Sequence, residues 1–193
     1  MTKSALRQQF MVQRRALSAD NVERQSQQIT EQLFAEFFIG VTKIILHTFL
    51  PIVRQNEVNT WPIIHRIWQD FPSGQIAVSV ADITTNRLTH HVLTPETPLI
   101  ENRWGIPEPQ PSSCTVINSE QIAVVLVPLL AFDKQGYRVG YGKGYYDRFL
   151  AECRPDCLKI GLSLFEPVEC ITDVELTDIR LDRCVTSEQV YFF

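Results

Sequence analysis

The sequence has too few cysteines, too irregularly spaced, for a disulfide framework or a cysteine-based metal site. Five cysteines occur in 193 residues, and no C-x-x-C pair is present. An odd number without regular spacing argues against both kinds of site. Buried reduced thiols are the simplest interpretation, and they are typical of a cytoplasmic protein.

Long apolar runs and a broad basic field are also absent. No segment approaches the roughly 18 consecutive apolar residues of a membrane span. The basic first 18 residues lack the apolar core of a signal peptide. A net charge of −4 gives no general attraction for nucleic acid or an anionic membrane. We therefore expect a soluble cytoplasmic protein, with neither kind of partner, in which any anion site is local.

Common signatures of zinc and hydrolytic catalysis are missing as well. The histidines have no metal-ligand spacing such as H-x-x-x-H, so we expect core or surface positions for His47, His65, His90 and His91. Neither a G-x-S-x-G motif nor a catalytic Cys/His signature occurs. These absences disfavour a zinc enzyme and a serine or cysteine hydrolase.

Apolar strand-like runs alternate with helical patterns along the chain. Strands are predicted over 43–51, 75–82, 87–94 (nearer an edge), 121–132, 157–164 and 181–188. Helices are predicted over 2–18, from Ser18 to about Phe38 before Gly40, over 60–71 with Thr60 as N-cap, and over 145–153. The alternation predicts an α/β fold. We expect a single three-layer α/β/α domain over 1–193, Rossmann-like with a mostly parallel sheet, on which helices 2–38 pack.

The connection over residues 95–120 contains five prolines and is predicted to have little regular structure. Long loops within a compact domain are often functional. The connection is therefore one place to look for site residues.

The segment GYRVGYGKGYYDR, residues 136–148, holds four of the chain's eight glycines within nine residues. It follows the most apolar predicted strand and precedes a helix, so it lies where parallel α/β folds bind ligands. Glycine lets backbone amides approach a phosphate, and a helix N-terminus adds partial positive charge. Lys143 and Arg138 add charge suited to terminal phosphates. The segment therefore predicts a site for a polyphosphate such as ATP.

This glycine loop is not a Walker A motif, because it lacks the serine or threonine that holds magnesium. Asp147 is a candidate replacement, since it lies in the first turn of the following helix. Mg²⁺ prefers one or two carboxylates together with phosphate oxygens and water. The structural alternative is an ordinary glycine-rich turn in which Asp147 only complements the helix dipole.

The longer segment VPLLAFDKQGYRVGYGKGYYDRFL resembles the signature of the 5-formyltetrahydrofolate cyclo-ligase family, also called methenyltetrahydrofolate synthetases. Further segments match this family in order, namely KSALR (3–7) with Arg14 and Arg15 after it, EVNTWPII (57–64), GIPEP (105–109), IGLSLFEP (160–167) and TDIRLDRCVT (177–186). The resemblance implies an ATP- and Mg²⁺-dependent ligase that converts 5-formyltetrahydrofolate to 5,10-methenyltetrahydrofolate. In that family the formyl oxygen attacks the γ-phosphate, N10 closes the ring, and ADP and phosphate are released.

The resemblance also implies which residues contact the nucleotide. They are Lys3 and Arg7 from the first helix and Arg138, Gly140, Gly142, Lys143, Gly144, Tyr145 and Tyr146 from the loop. Lys143 and Arg138 would stabilise the transferred phosphoryl group. For Lys3 and Arg7 the alternative is a solvated basic helix face.

Magnesium and substrate residues follow from the same resemblance. Asp147 and Asp178 are the implied magnesium-linked acids, although Asp178 could equally be a turn residue. Glu57 matches the substrate-binding glutamate, a carboxylate suited to accept from pterin N–H groups, and its alternative is a helix-terminus acid. The implied aromatic and hydroxyl contacts to the reduced folate are Tyr141, Tyr145, Tyr146 and Trp104, with core packing as the alternative for Trp104.

The chain departs from the family pattern at three places. Pro167 stands where members commonly carry glutamine, Thr177 where they carry histidine, and the strand ending SVAD at Asp82 lacks a common proline. Two other functions stay open from the residues. One is a non-catalytic nucleotide- or phosphosugar-binding α/β module, and the other a relative that binds ATP but uses another folate or none. We expect a monomer.

Overall fold

An eight-stranded sheet forms the centre of the computed structural model, which describes residues 1–37, 44–102 and 105–193. The helices are α1 (Lys3–Arg15), α2 (Ala19–Phe37), α3 (Trp61–Asp70) and α4 (Tyr145–Glu152). The strands are β1 (Ile45–His47), β2 (Gln75–Asp82), β3 (Arg87–Leu93), β4 (Leu99–Glu101), β5 (Pro107–Pro109), β6 (Val116–Ile117), β7 (Val124–Pro128), β8 (Ala131–Phe132), β9 (Arg138–Val139), β10 (Leu158–Leu162), β11 (Arg183–Val185) and β12 (Val190–Phe192).

The strand order is β12-β11-β10-β7-β1-β2-β3-β6. The five strands from β11 to β2 pair in parallel, whereas β12, β3 and β6 pair antiparallel at the two sides. Two hairpins, β4–β5 and β8–β9, lie outside this sheet. The predicted mostly parallel sheet is confirmed, and the polar strand β3 is next to an edge strand.

Side chains of the central strand β7 alternate between two apolar layers. Leu126 packs into the layer that contains α2 and α3 residues, whereas Val125 and Val127 pack into the layer that contains Phe149 of α4. This alternation follows from the two-residue period of a strand. The predicted arrangement of helices on both faces of the sheet is therefore confirmed.

Helix α1 packs away from the main sheet, against the β8–β9 hairpin. Its Leu6 and Phe10 lie in a third apolar cluster with Leu130, Ala131 and Val139. Because the hairpin leads directly into the glycine loop, this packing brings the basic residues of α1 beside that loop.

One predicted strand is wrong in extent. The run over 121–132 is interrupted, since β7 ends at Pro128 and the chain continues into the separate hairpin strand β8. Proline has no N–H to donate to a ladder, so it favours the end of a strand. The break redirects the chain out of the sheet before the glycine loop.

Other boundaries differ more modestly. Strand β1 covers three residues of the predicted 43–51, and β12 was not predicted. The proline-rich connection over 95–120 is more regular than expected, because it contains β4, β5 and β6. Helix α3 does follow Thr60, but the Thr60 hydroxyl donates to the carbonyl of Phe49 at 2.6 Å instead of capping the helix. Lys43, Phe38 and Gly40 lie outside the described residues.

Two further expectations concern the state of the cysteines and the presence of membrane-spanning helices. All five cysteines are free thiols, as predicted, but the expected burial holds only for Cys157 and Cys184, and Cys170 is exposed. Within the described ranges, no helix combines the length and apolar composition needed to cross a bilayer.

The parallel strands β1, β7 and β10 end at one edge of the sheet. The segments that follow them carry Glu57, the glycine loop and Asp178, respectively. This edge is where ligands of open parallel sheets bind. The fold thus brings together three segments that are far apart in sequence.

Candidate active site

The glycine loop presents backbone N–H groups that the protein itself does not use. In the part of the chain that the structure describes, no amide of residues 141–147 donates to a protein acceptor. Gly142 and Gly144 have left-handed φ angles of 90° and 68°, and Gly144 is the N-cap of α4. Such a run of free amides at a helix N-terminus is suited to bind an anion.

Three basic side chains border these amides. The Arg7 Nε donates to the Gly140 carbonyl at 2.9 Å, and its guanidinium carbon lies 3.2 Å from where a Cβ of residue 142 would be. Lys143 is exposed, and its Nζ forms no ion pair within the described residues. On the other side, Arg148 Nη2 donates to the Lys143 carbonyl at 2.7 Å and fixes the loop.

Arg138 lies beneath the loop and is largely buried. Its Nη2 donates to Asp147 Oδ1 at 2.7 Å, and its Nη1 donates to the Ile179 carbonyl. Burial lowers the pKa of Arg138, and the Asp147 carboxylate opposes that shift. Both terminal nitrogens are thus engaged within the protein, so Arg138 orients Asp147 in this structure.

The two predicted magnesium ligands are brought to the same region. Asp147 Oδ1 also accepts from the Ile179 N–H at 3.2 Å, next to Asp178. Asp178 Oδ2 accepts from the Glu175 N–H at 2.7 Å and is 2.5 Å from Lys3 Nζ. Each carboxylate accepts its hydrogen bonds through one oxygen, which leaves the other for a cation. No group of three or more metal-ligating side chains exists among the described residues, so a bound Mg²⁺ would need phosphate oxygens and water as further ligands.

Glu57 is buried at the end of the segment after β1. Its Oε1 accepts from the Tyr141 hydroxyl at 2.7 Å, and its Oε2 accepts from the Ile52 N–H at 2.8 Å. Burial raises the pKa of Glu57, whereas these two hydrogen bonds and the charge of Arg14 oppose the shift. A buried carboxylate with fixed partners and spare lone pairs is chemically suited to accept from N–H donors of a ligand.

The gap between Glu57 and the ends of the parallel strands is too narrow in this structure to hold a water molecule. It is lined by Arg14, Phe49, Glu57, Val58, Pro128, Leu129 and Leu162. One wall is therefore charged and the others are apolar, and a ligand could enter only if these side chains moved apart.

The predicted aromatic residues have different settings. Tyr146 packs inward, with its ring centroid 6.0 Å from that of Phe149 and 6.1 Å from that of His47. Burial raises the pKa of Tyr146. Tyr145 is half-buried. Trp104 lies outside the described residues, so the expectation for it stays a prediction.

A buried polar chain lies on the α4 side of the same sheet edge. The Nε2 of His47 is 2.7 Å from the Ser79 hydroxyl, which is 3.2 Å from Nδ1 of His90. Burial lowers the pKa of both histidines, that of His90 to about 4. The charge of His90 further lowers the pKa of His47, and the charge of His91 further lowers that of His90. Both histidines are buried, which is one of the two settings expected for them.

Sequence analysis did not single out Arg14 as a site residue. The structure places it beside Glu57 and Tyr141, with its Nη1 donating to the Tyr141 hydroxyl at 3.0 Å. A signal was available, because residues 3, 7 and 14 are spaced four and seven apart and so lie on one helix face. All three of these basic residues contact the segments that form the site.

The 5-formyltetrahydrofolate cyclo-ligase family model matches residues 1–187. The 5-formyltetrahydrofolate cyclo-ligase of Haemophilus influenzae is 33% identical over 94 residues, an alignment that covers 49% of this chain and 50% of that protein. The chain therefore spans about half the length of that relative. The Mycoplasma pneumoniae cyclo-ligase is 28% identical over 189 residues, covering 97% of this chain and 100% of the relative.

Solved structures agree with the sequence matches. The NMR structure of the Aquifex aeolicus 5,10-methenyltetrahydrofolate synthetase has a TM-score of 0.81 and 28% identity, and the match covers 100% of this chain and 93% of the other. The resemblance drawn from the glycine loop and its companion segments is thus confirmed. The chain belongs to the 5-formyltetrahydrofolate cyclo-ligase family.

Proposed function

We propose that this protein is an ATP-dependent ligase that converts 5-formyltetrahydrofolate to 5,10-methenyltetrahydrofolate and releases ADP and phosphate. One observation carries the proposal beyond family membership. The free amides of residues 141–147 and the buried carboxylate of Glu57 belong to one site, because Tyr141 of the loop hydrogen-bonds Glu57 at 2.7 Å. A phosphate-binding element and a carboxylate for N–H donors are the two recognition elements that this reaction requires.

The loop would bind the triphosphate. Its amides face the phosphate oxygens, Arg7 and Lys3 contact the nucleotide from α1, and Lys143 neutralises charge on the transferred phosphoryl group. Exposure of the Lys143 ammonium group, without a protein partner within the described residues, supports this role. Arg138 would act on the phosphoryl group in one of two ways. It would orient Asp147, to which it donates a hydrogen bond, or it would contact the phosphoryl group directly after a change of rotamer.

Glu57 would fix the reduced folate by accepting hydrogen bonds from pterin N–H groups, with Tyr141, Tyr145, Tyr146 and Trp104 as further contacts. The formyl oxygen then attacks the γ-phosphorus, and the bond to the β–γ bridging oxygen breaks. N10 attacks the activated carbon, the ring closes, and the phosphorylated oxygen leaves as phosphate. Alignment of the two ligands supplies most of the catalytic effect.

Asp147 and Asp178 would hold the magnesium ion. When bound, the ion would neutralise phosphate charge and help to orient the triphosphate. The proximity of both acids to the loop and the unused oxygen on each carboxylate support this assignment.

The proposed ligands are small molecules. We expect the enzyme to act as a cytoplasmic monomer without a nucleic-acid or membrane partner, and the net charge of −4 supports the absence of a nucleic-acid partner. Light scattering coupled to gel filtration measures the oligomeric state.

A direct assay tests the activity. Purified protein is mixed with 5-formyltetrahydrofolate, ATP and Mg²⁺, and the absorbance of the methenyl product is followed. We expect product only when ATP is present. Binding of both ligands without ATP-dependent product at high protein concentration would instead support the non-catalytic nucleotide-binding module, which family membership disfavours.

A further inference from the structure

Arg14 has an unusual position for an arginine in the last turn of a surface helix. Its side chain is only 6% exposed. Its Nη2 donates to the Leu129 carbonyl, just after β7, and its Nη1 donates to the Tyr141 hydroxyl at 3.0 Å. Its Nε is buried and has no partner among the described residues. A buried guanidinium with an unsatisfied donor destabilises a fold, so packing alone gives little reason for this residue.

The Tyr141 hydroxyl connects Arg14 to Glu57. It accepts from Arg14 and donates to Glu57 Oε1 at 2.7 Å, while Arg14 Nη1 itself is 3.9 Å from that oxygen. The second oxygen of Glu57 accepts from the Ile52 N–H. Both carboxylate oxygens are thereby fixed in direction, with lone pairs left for a ligand.

We infer that Arg14 is a positioning residue for folate recognition, which acts through Tyr141 to keep Glu57 oriented toward the N–H donors of the pterin ring. The inference rests on the proposed function, in which the ligand of Glu57 is a reduced folate. Arg14 touches neither of the reacting groups in this arrangement. Its contribution is the orientation and the charge state of another side chain.

The charges around Glu57 support this role. Arg14 of α1 is the one cationic side chain within 4.0 Å of Glu57 in the described ranges. The other titratable groups that face Glu57 are Tyr141 from the loop and Tyr146 from α4. Burial favours the protonated carboxyl, and a protonated Glu57 would lose an acceptor. Removal of Arg14 or of the Tyr141 hydroxyl should therefore move protonation of Glu57 to higher pH.

The experiment compares Arg14→Gln, Arg14→Lys and Tyr141→Phe with the wild type. Arg15→Gln is the matched control, because Arg15 is the neighbouring residue on α1 and is exposed. Dissociation constants for 5-formyltetrahydrofolate and for ATP are measured separately by calorimetry between about pH 5 and pH 8. Binding is measured instead of turnover so that the result does not depend on the reaction.

We expect Arg14→Gln and Tyr141→Phe to weaken folate binding roughly ten-fold at neutral pH, the typical loss for a hydrogen bond to a charged group. ATP affinity should change by less than about two-fold. The pH below which folate binding is lost should rise, so that higher pH restores part of the affinity. Arg14→Lys should keep part of this pH dependence, and Arg15→Gln should match the wild type.

Equal losses of folate and ATP affinity, or pH profiles that superimpose on the wild type, would overturn the inference. If Arg14→Gln does not fold, Arg14→Lys decides, since it keeps the charge but loses the guanidinium contacts to Tyr141 and to the Leu129 carbonyl, and it should weaken folate binding while leaving ATP binding unchanged. A wild-type protein that binds 5-formyltetrahydrofolate with the expected variant pattern but forms no product would refute the proposed activity and leave the role of Arg14 standing. Absence of folate binding by the wild type would refute both.

Discussion

At the scale of single residues, Gly140 is the most informative position in the loop. Its φ is not in the left-handed region, and an added Cβ would meet no atom within 4 Å. The protein itself therefore gives no reason for glycine there. Gly142 differs, because its φ of 90° and the nearby Arg7 guanidinium both oppose a side chain.

We predict that Gly140→Ala keeps the stability of the wild type to within about 1 kcal/mol and raises the KM for ATP roughly ten-fold, because the methyl group would occupy space used by phosphate. Gly142→Ala serves as the contrast, with an expected loss of about 1–2 kcal/mol of stability from its left-handed backbone. Urea unfolding and steady-state kinetics measure the two effects. An unchanged KM for ATP in Gly140→Ala would show that phosphate does not bind at this part of the loop.

Lys143→Ala should lower kcat roughly 100-fold, because the ammonium group of Lys143 would act on the transferred phosphoryl group. The melting temperature should not change, because this group has no protein partner in the described residues. Lys134→Ala is the control, since Lys134 is also exposed but pairs with Glu169 at 2.6 Å in the turn between β8 and β9. Equal kcat in the two variants would show that Lys143 has another role.

At the scale of elements, α1 connects the apolar packing to the site. Leu6 is fully buried against the β8–β9 hairpin, whereas Lys3, Arg7 and Arg14 contact the site segments. Loss of packing at Leu6 would therefore affect both stability and ligand binding. The same helix carries an exposed apolar residue, Val12, which lacks these contacts.

We expect Leu6→Ala to reduce the free energy of unfolding by about 2–5 kcal/mol, because it leaves a cavity in a closely packed cluster. The affinity for ATP should fall with it, since Arg7 and Lys3 would lose their fixed placement. Val12→Ala is the matched control and should change stability by less than about 0.5 kcal/mol. Chemical denaturation measures the stability, and calorimetric titration measures the ATP affinity. An unchanged ATP affinity would show that Leu6 contributes to stability alone.

The sequence predicted well the elements with a regular apolar period or an unusual composition. Helical periodicity located α1 and α4 to within a few residues, and the glycine loop was recognisable from composition alone. It was a poorer guide where a single residue interrupts a pattern, as Pro128 does in the run over 121–132. Pairings such as Arg14 with Tyr141 were not accessible, because they join residues 127 positions apart. The assigned site roles and the one-domain organisation stay predictions.

At the scale of the whole molecule, buried histidines make stability depend on pH. The pKa of His90 is lowered to about 4 from an ordinary value of 6.5, mainly because it is buried, and the pKa of His47 is also lowered. The unfolded chain therefore binds more protons than the folded protein between about pH 4 and pH 6.5. Stability should be fully present above pH 6.5 and decrease as the pH falls through this window.

We predict that the free energy of unfolding falls by about 1.5 kcal/mol from His90 alone between pH 6.5 and pH 5, because the slope approaches 1.36 kcal/mol per pH unit only below pH 6.5. Urea titrations at several pH values measure the slope. His90→Gln should make it shallower, whereas His65→Gln, at an exposed position on α3, should leave it unchanged. Identical slopes in all three proteins would mean that the pKa of His90 is not lowered in the folded protein.

The shared position of Tyr141 has a consequence for any search for inhibitors. This residue is part of the nucleotide loop and at the same time hydrogen-bonds the carboxylate that would receive the folate. If the loop adjusts when ATP binds, the folate pocket is remodelled, and by thermodynamic reciprocity each ligand alters the affinity for the other by the same factor. Compounds selected against the nucleotide-free protein would then be matched to the wrong pocket, so screening belongs on the nucleotide-saturated enzyme.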